Sequence, residues 1–92
     1  MVETTDRLVR TGSHVEAQVD EDLILMHQES GRMFAMRRTG IRIWERIDGE
    51  RTVGQIVDDL LAIYPVDRDR CTAEVTAFLA SLHEAGFVAP EA

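Results

Sequence analysis

The residue types that most often carry chemistry are few and scattered in this chain. Its three histidines, His14, His27 and His83, stand on three different predicted elements, and no two have the i, i+4 spacing that places two imidazoles on one helical face. The single cysteine, Cys71, excludes an internal disulfide and lies in an apolar helical stripe, where a buried thiol is the ordinary interpretation. A thiol pKa lowered by the start of that helix is a weaker alternative.

Paired carboxylates and phosphate-binding loops are the other signals of catalysis. Asp58 and Asp59 are adjacent on a predicted helix, so their side chains point in different directions and form a solvated face rather than an acid–base pair. The sequence contains no G-x-G-x-x-G, P-loop or G-x-S-x-G pattern. We therefore expect that the chain is not an enzyme and has no catalytic residue, metal site or cofactor.

Length and charge narrow the class of protein further. The 92 residues suffice for one small domain, and ten basic residues, all arginine, oppose 17 acidic ones for a net charge of -7. This balance argues against binding to nucleic acid or to an anionic membrane, since both require clustered positive charge. The first 13 residues contain no apolar stretch, so we expect no signal peptide, no membrane span and a cytoplasmic location.

Strand patterns occupy the first part of the chain. Residues 1–12 are polar and predict a flexible lead-in. Residues 14–19 alternate, with Val15, Ala17 and Val19 on one face, and the apolar runs 23–26 and 33–36 follow, separated by a turn at Gly31. These segments predict a three-stranded antiparallel meander.

Helical patterns occupy the second part. Apolar residues at helical spacing from Gly40 to Ile47 predict a first helix that ends at Gly49. The capping-box pattern Thr52-Val53-Gly54-Gln55 begins a second amphipathic helix that Pro65 ends, and Asp67 caps a third. Strands followed by helices in one short chain indicate an α+β domain.

The predicted sheet has apolar side chains on both faces. Residues 23–26 and 33–36 are continuous apolar runs, and the helices can cover only one face of the sheet. Met26, Met33 and Met36 add adaptable contact surface. An apolar edge strand beside a helix suits β-augmentation, in which an extended peptide adds as a new strand. Capping of the edge by the chain's own tail or by a second copy remains an alternative.

Three segments resemble the pattern of PqqD-like proteins. Residues 31–44 read GRMFAMRRTGIRIW, which is similar to the family's strand-to-helix segment G-[RK]-aromatic-aromatic-x-L-N-x-T-G-x-x-[IL]-W. Residues 48–53, DGERTV, resemble its link into the second helix, and residues 74–88 resemble its ending. The resemblance covers residues from about 13 to 88, although Arg37 stands where the pattern has Asn and Met33 replaces an aromatic residue.

The resemblance implies a RiPP precursor peptide recognition element over residues 13–88, followed by a tail at 89–92. Such domains are α+β winged helix-turn-helix folds, with a three-stranded antiparallel sheet followed by three helices. They bind the leader segment of a ribosomally synthesised precursor peptide, which adds as an antiparallel strand to the third strand and lies against the third helix. A freestanding member presents the precursor to a separate enzyme, which is a leader peptidase in lasso-peptide systems or a radical SAM enzyme in PQQ synthesis.

The same resemblance implies the residues that would contact the leader peptide. The edge of the third predicted strand contributes Met33, Phe34, Ala35 and Met36. The third helix contributes its exposed flank, which consists of Asp67, Arg70, Cys71 and Glu74. Val75, Phe78 and Leu82 are expected in the core, close to the floor of the cleft.

Two other functions fit the predicted fold. A winged-helix DNA-binding regulator is the main alternative, but its recognition helix would begin Asp67-Arg68-Asp69-Arg70 and would repel phosphate. The second is a regulatory module that dimerises through its edge strand. We favour a monomeric adaptor whose partners are a leader peptide and a peptide-modifying enzyme.

Overall fold

The computed structural model describes residues 2–91, in which strands precede helices as the sequence predicts. The chain forms β1 (Leu8–Arg10), β2 (His14–Val19), β3 (Asp22–His27), β4 (Met33–Arg37), α1 (Thr39–Glu45), α2 (Val53–Leu61), α3 (Arg68–Glu84) and β5 (Val88–Pro90). Strands β2, β3 and β4 form the predicted three-stranded antiparallel sheet, and three helices follow it. The α+β class and this order are confirmed, whereas the winged helix-turn-helix description stays a prediction.

The helices α2 and α3 begin at the capping residues that the sequence indicated. The Thr52 hydroxyl accepts a hydrogen bond from the Gln55 N–H at 3.1 Å, and the Gln55 side chain accepts one from the Thr52 N–H at 2.8 Å. A carboxylate oxygen of Asp67 accepts from the Arg70 N–H at 3.1 Å. Both helices therefore start at the predicted residues.

Helix α1 is shorter than its apolar spacing suggested. It ends at Glu45, and Ile47 follows in a final turn in which its N–H donates to the Trp44 carbonyl at 3.2 Å. Gly49, with φ 79°, lies in the following loop rather than at the helix end. The helix begins after Arg38, which makes no side-chain capping hydrogen bond and has φ 52° and ψ -111°.

The three-stranded sheet has an inner face toward the helices and an outer face away from them. Register pairs Leu25 with Phe34 and Leu23 with Met36, and these side chains pack inward, where Leu25 and Met36 are buried. The side chains that alternate with them point outward, and Met33 among them is 67% exposed. The helices thus cover only one face of the sheet, as expected.

A second sheet lies outside the predicted meander. β1 pairs antiparallel with β5, and Leu8 of β1 is buried in the core. The Val53 N–H donates to the Asp6 carbonyl at 2.8 Å, which ties this segment to the start of α2. Part of the predicted lead-in is therefore a paired strand, and the packed unit extends beyond residues 13–88 at both ends.

The core joins the two layers through aromatic side chains. Trp44 of α1 and Phe87, just before β5, are both buried. His14 and His27 are opposite each other in the β2–β3 register, and both imidazoles meet the Phe87 ring edge-on at centroid distances of 6.1 and 5.8 Å. The Trp44 Nε1–H donates to the Glu16 carboxylate at 2.6 Å, which fixes the inner side of β2.

None of the helices within residues 2–91 combines the length and the hydropathy that crossing a bilayer requires.

Candidate functional site

The outer edge of β4 has backbone groups with no strand paired to them in the described residues. The His27 N–H donates to the Arg32 carbonyl at 2.8 Å, so these two residues form a hydrogen-bonded pair. Because such pairs alternate along an antiparallel ladder, Phe34 and Met36 bond to β3. The N–H and C=O groups of the alternate residues of β4 then point to the open edge; these residues are Met33, Ala35 and Arg37.

A groove of about 470 Å³ runs between β4 and α3. Its base consists of buried apolar side chains, including Met36, Ile43 and Val75, and the exposed Val66 lies on its rim. Thirteen residues line it: Ala35, Met36, Arg37, Thr39, Gly40, Ile43, Leu60, Tyr64, Val66, Cys71, Glu74, Val75 and Phe78. The open backbone edge and an apolar groove therefore lie side by side.

Two charged residues, Arg37 and Glu74, line this groove. The Arg37 Nε donates to the Asp22 carboxylate at 2.6 Å, and this hydrogen bond, together with the charge of Asp22, raises the pKa of Arg37 further. The Glu74 carboxylate accepts from the Arg70 Nε at 3.1 Å, one helical turn away. Both pairs are solvent-exposed, so they add little to stability and can exchange partners with a bound molecule.

The Cys71 thiol forms part of the apolar lining. Burial raises the pKa of Cys71, and the nearby Glu74 charge raises it further against the smaller opposing effect of Arg68. A thiol pKa lowered by the helix start, the weaker alternative above, is therefore wrong. Cys71 remains protonated at neutral pH and contributes a small apolar surface.

Comparison with known proteins places the chain in a family. The model of the family described as coenzyme PQQ synthesis protein D (PqqD) matches residues 22–88, which span β3 to the start of β5. The chain belongs to the PqqD family. A search of curated proteins finds no match.

Two solved structures are similar to this PqqD-family chain over most of its length. One is described as TbiB1 in complex with the TbiA(beta) leader peptide; it is 28% identical, has a TM-score of 0.77, and the alignment covers 87% of this chain and 93% of that one. The other is described as lasso peptide synthetase B1 complexed with the leader peptide; it is 23% identical, has a TM-score of 0.80, and the alignment covers 91% of this chain and 99% of that one. The second likeness supports the fold alone.

Half of the residues that the PqqD-like resemblance assigned to the site line the groove. Ala35 and Met36 form its β4 side, and Cys71 and Glu74 form its α3 side. Met33, Phe34, Asp67 and Arg70 are not among the lining residues. Contact between any of the eight residues and a peptide stays a prediction.

The side chains of Met33 and Phe34 lie on opposite faces of β4, and neither residue lines the groove. The Met33 side chain points to the outer face, so only its backbone faces the open edge. Phe34 is half-buried on the inner face, where its ring meets Phe78 at 5.7 Å and Phe87 at 6.1 Å. Met33 is therefore placed to offer backbone hydrogen bonds, and Phe34 supports the groove from behind.

Asp67 and Arg70 have local roles at the start of α3. Asp67 caps the helix by accepting the Arg70 N–H, and the Arg70 side chain pairs with Glu74. The Arg70 side chain is 76% exposed and lies outside the groove lining. It reaches the groove only through Glu74.

Sequence reasoning missed the wall of the groove that comes from α1 and the loop before α3. Thr39, Gly40 and Ile43 belong to α1, and Tyr64 and Val66 flank Pro65. The apolar residues on both sides of Pro65 were a usable signal, because Val66 is 47% exposed in a loop that does not need it for the core. Val75 and Phe78, expected near the cleft floor, line the groove, whereas Leu82 does not.

Proposed function

We propose that this domain binds the leader segment of a ribosomally synthesised precursor peptide and delivers it to a separate processing enzyme. The observation that carries the proposal is the open edge of β4 beside the groove against α3. Membership of the PqqD family supports it, and so does the likeness to TbiB1, a protein solved with a leader peptide.

Binding would use the backbone first. An extended leader adding antiparallel to β4 pairs its N–H and C=O groups with those of Met33, Ala35 and Arg37. Every second side chain of the leader then points toward α3 and into the apolar groove, while the others point to the outer face. Backbone bonds supply affinity for any extended segment, and the groove selects the sequence.

Charge adds a second level of selection. Arg37 and Glu74, which line the groove, can pair with an acidic and a basic side chain of the leader. The net charge of -7 favours approach of basic segments of the leader or of its enzyme. We expect the association rate to fall as salt rises.

The chemistry belongs to the enzyme in this proposal. Within residues 2–91, no cluster of three or more His, Cys, Asp or Glu could hold a metal ion, and the one thiol is buried. His27 supports a turn, since its Nδ1 accepts from the Glu29 and Ser30 N–H groups at 3.3 and 3.4 Å. A lasso-peptide leader peptidase is the first candidate enzyme, and a radical SAM enzyme is the second.

The test is fluorescence polarisation with labelled leader peptides of several precursor classes and a random DNA duplex. Tight binding of one leader, with no DNA binding, supports the proposal. Duplex binding with a steep salt dependence and no leader binding favours the winged-helix alternative instead. Sedimentation at two concentrations distinguishes a monomer from a dimer paired through its edge strand.

One substitution isolates the β4 edge. Ala35→Pro removes an N–H that faces the open edge and breaks no bond to β3, so we expect the fold to persist. The lost hydrogen bond and the added bulk of the proline ring should together lower the affinity for the leader about tenfold or more. Met36→Pro is not a suitable test, because Met36 is buried and bonded to β3.

The matched control is Gln18→Pro on β2, the other edge of the same sheet. The Gln28 N–H donates to the Ser13 carbonyl at 2.9 Å, and by the same alternation the Gln18 N–H faces the opposite open edge. Gln18→Pro should keep the affinity of the native chain. Equal loss of leader binding in both variants would refute binding at β4.

A further inference from the structure

The outer face of the three-stranded sheet is apolar. Its side chains form two rows across the strands, Val15–Met26–Met33 and Ala17–Ile24–Ala35. Val15 is 44% exposed and Met26 is 41% exposed, so no helix within residues 2–91 covers these two side chains. An antiparallel sheet with one solvated face ordinarily places polar residues there, so this surface is the reverse of the usual pattern.

The register of strand β2 places its apolar side chains on the outer face. Its polar residues His14, Glu16 and Gln18 face the helical layer, while its apolar residues face away. Inner contacts hold this orientation, because Trp44 donates to Glu16 and the His14 ring packs edge-on against Trp44 at 5.2 Å. A shift by one residue would bury the apolar side but would break these contacts.

The outer face is continuous with the proposed leader-binding edge. Met33 and Ala35 direct their backbone groups to the open edge and their side chains to the outer face. A leader segment added at this edge becomes a fourth strand of the sheet. Every second side chain of that strand then extends the outer face, next to Met33 or Ala35. Anything that docks on the outer face therefore touches the domain and its bound leader together.

The charge around this face indicates the kind of partner. Asp20 and Glu21 form the exposed turn at one end, next to Asp22, whose charge Arg37 already neutralises. A second copy is disfavoured because each chain carries a net charge of -7. An apolar surface flanked by basic side chains matches the face and its acidic end.

We propose that the outer face docks the enzyme that processes the bound precursor, through an apolar surface with basic side chains facing the Asp20–Glu21 turn. The inference rests on the proposed function, since the leader strand completes the surface. The enzyme then binds best to the leader-loaded domain, and a free domain competes poorly for it.

The test measures two properties of each variant. Leader affinity is measured by fluorescence polarisation, and association with the purified processing enzyme of the bound precursor is measured by calorimetry with and without leader. Ala17→Lys places a charge in the middle row of the outer face, on β2, two strands away from the β4 edge. Ala80→Lys, at an exposed position of α3, is the matched control.

We expect Ala17→Lys to keep its leader affinity. Its affinity for the enzyme should fall about tenfold or more, because an unpaired charge would be buried against an apolar contact surface. Ala80→Lys should match the native chain in both measurements. Val15→Thr keeps the side-chain shape and the strand preference, and its affinity for the enzyme should fall about two- to fivefold. This variant keeps the inference testable if Ala17→Lys does not fold.

Three outcomes overturn the inference. If Ala17→Lys and Val15→Thr both bind the enzyme with native affinity, the outer face is not the docking surface. A dimer in sedimentation that Ala17→Lys dissociates assigns the face to a second copy instead. A native chain that binds no leader overturns the proposed function, and this inference with it, and the polarisation readout alone identifies that case.

Discussion

Arg38 has a backbone conformation that glycine adopts far more easily. Its φ of 52° and ψ of -111° place it near the first central residue of a type II′ turn, where a Cβ atom clashes with the backbone. It connects the β4 edge to α1, and its side chain makes no capping hydrogen bond that would offset the strain. We predict that Arg38→Gly stabilises the domain.

The magnitude follows from two opposing terms. A non-glycine residue in such a region costs about 1–3 kcal/mol. Glycine lowers the free energy of unfolding by about 0.5–1 kcal/mol, because it gives the unfolded chain more conformational freedom. The net gain is about 1 kcal/mol, which in a domain of this size raises the Tm by about 4–8 °C.

Thermal unfolding followed by circular dichroism measures the effect. Arg42→Gly is the matched control, because Arg42 is an exposed residue within α1 and glycine there should cost about 1 kcal/mol. The same substitution four positions apart should therefore shift Tm in opposite directions. Arg38→Ala keeps the Cβ and should stay near the native Tm. A Tm for Arg38→Gly at or below the native value would refute the strain at this junction.

Two further predictions concern the groove and the loop after α1. Gly40→Ala should lower both Tm and leader affinity, because the added Cβ would lie 3.1 Å from the Met36 Cβ and 3.2 Å from the Phe78 Cζ, at the groove wall; native affinity in polarisation would show that the leader does not use this part of the groove. The Arg51 and Glu50 N–H groups donate to the Asp48 carboxylate at 2.9 Å and hold the pKa of Asp48 below its usual range. The ionised carboxylate therefore stabilises the fold fully above the unfolded-state pKa of about 4. This stabilisation is lost as the pH falls through the lower folded-state pKa. The Tm difference between the native chain and Asp48→Asn should therefore be largest at neutral pH and shrink in acid, and a difference independent of pH would contradict it.

Local signals made part of the fold predictable. The Thr52 capping box and the Asp67 cap are short-range patterns whose hydrogen bonds span three residues, and both helices begin there. The β1–β5 pairing brings Leu8 opposite Pro90, and no local pattern encodes a contact across that distance. Three-residue strands also carry too few residues for a periodic signal.

The candidate site was predictable only in part for a similar reason. The resemblance located β4 and α3, but which residues of these elements line the groove depends on how their side chains pack and on a wall from another segment. Phe34 packs inward against Phe78 and Phe87, whereas the adjacent Ala35 lines the groove. Tyr64 and Val66 reach the groove from a loop that the family pattern does not mark.

The alternation of β4 separates stability from recognition along one strand. Phe34 and Met36 bond to β3 and pack inward, so their substitution acts first on folding. Met33, Ala35 and Arg37 direct backbone groups to the open edge and side chains to the outer face, so their substitution acts first on binding. If both proposals hold, Ala35 is the point where the leader and the enzyme meet. Ala35→Pro should then weaken leader binding directly, and enzyme association in proportion to the leader that is lost, whereas Ala17→Lys should affect the enzyme alone.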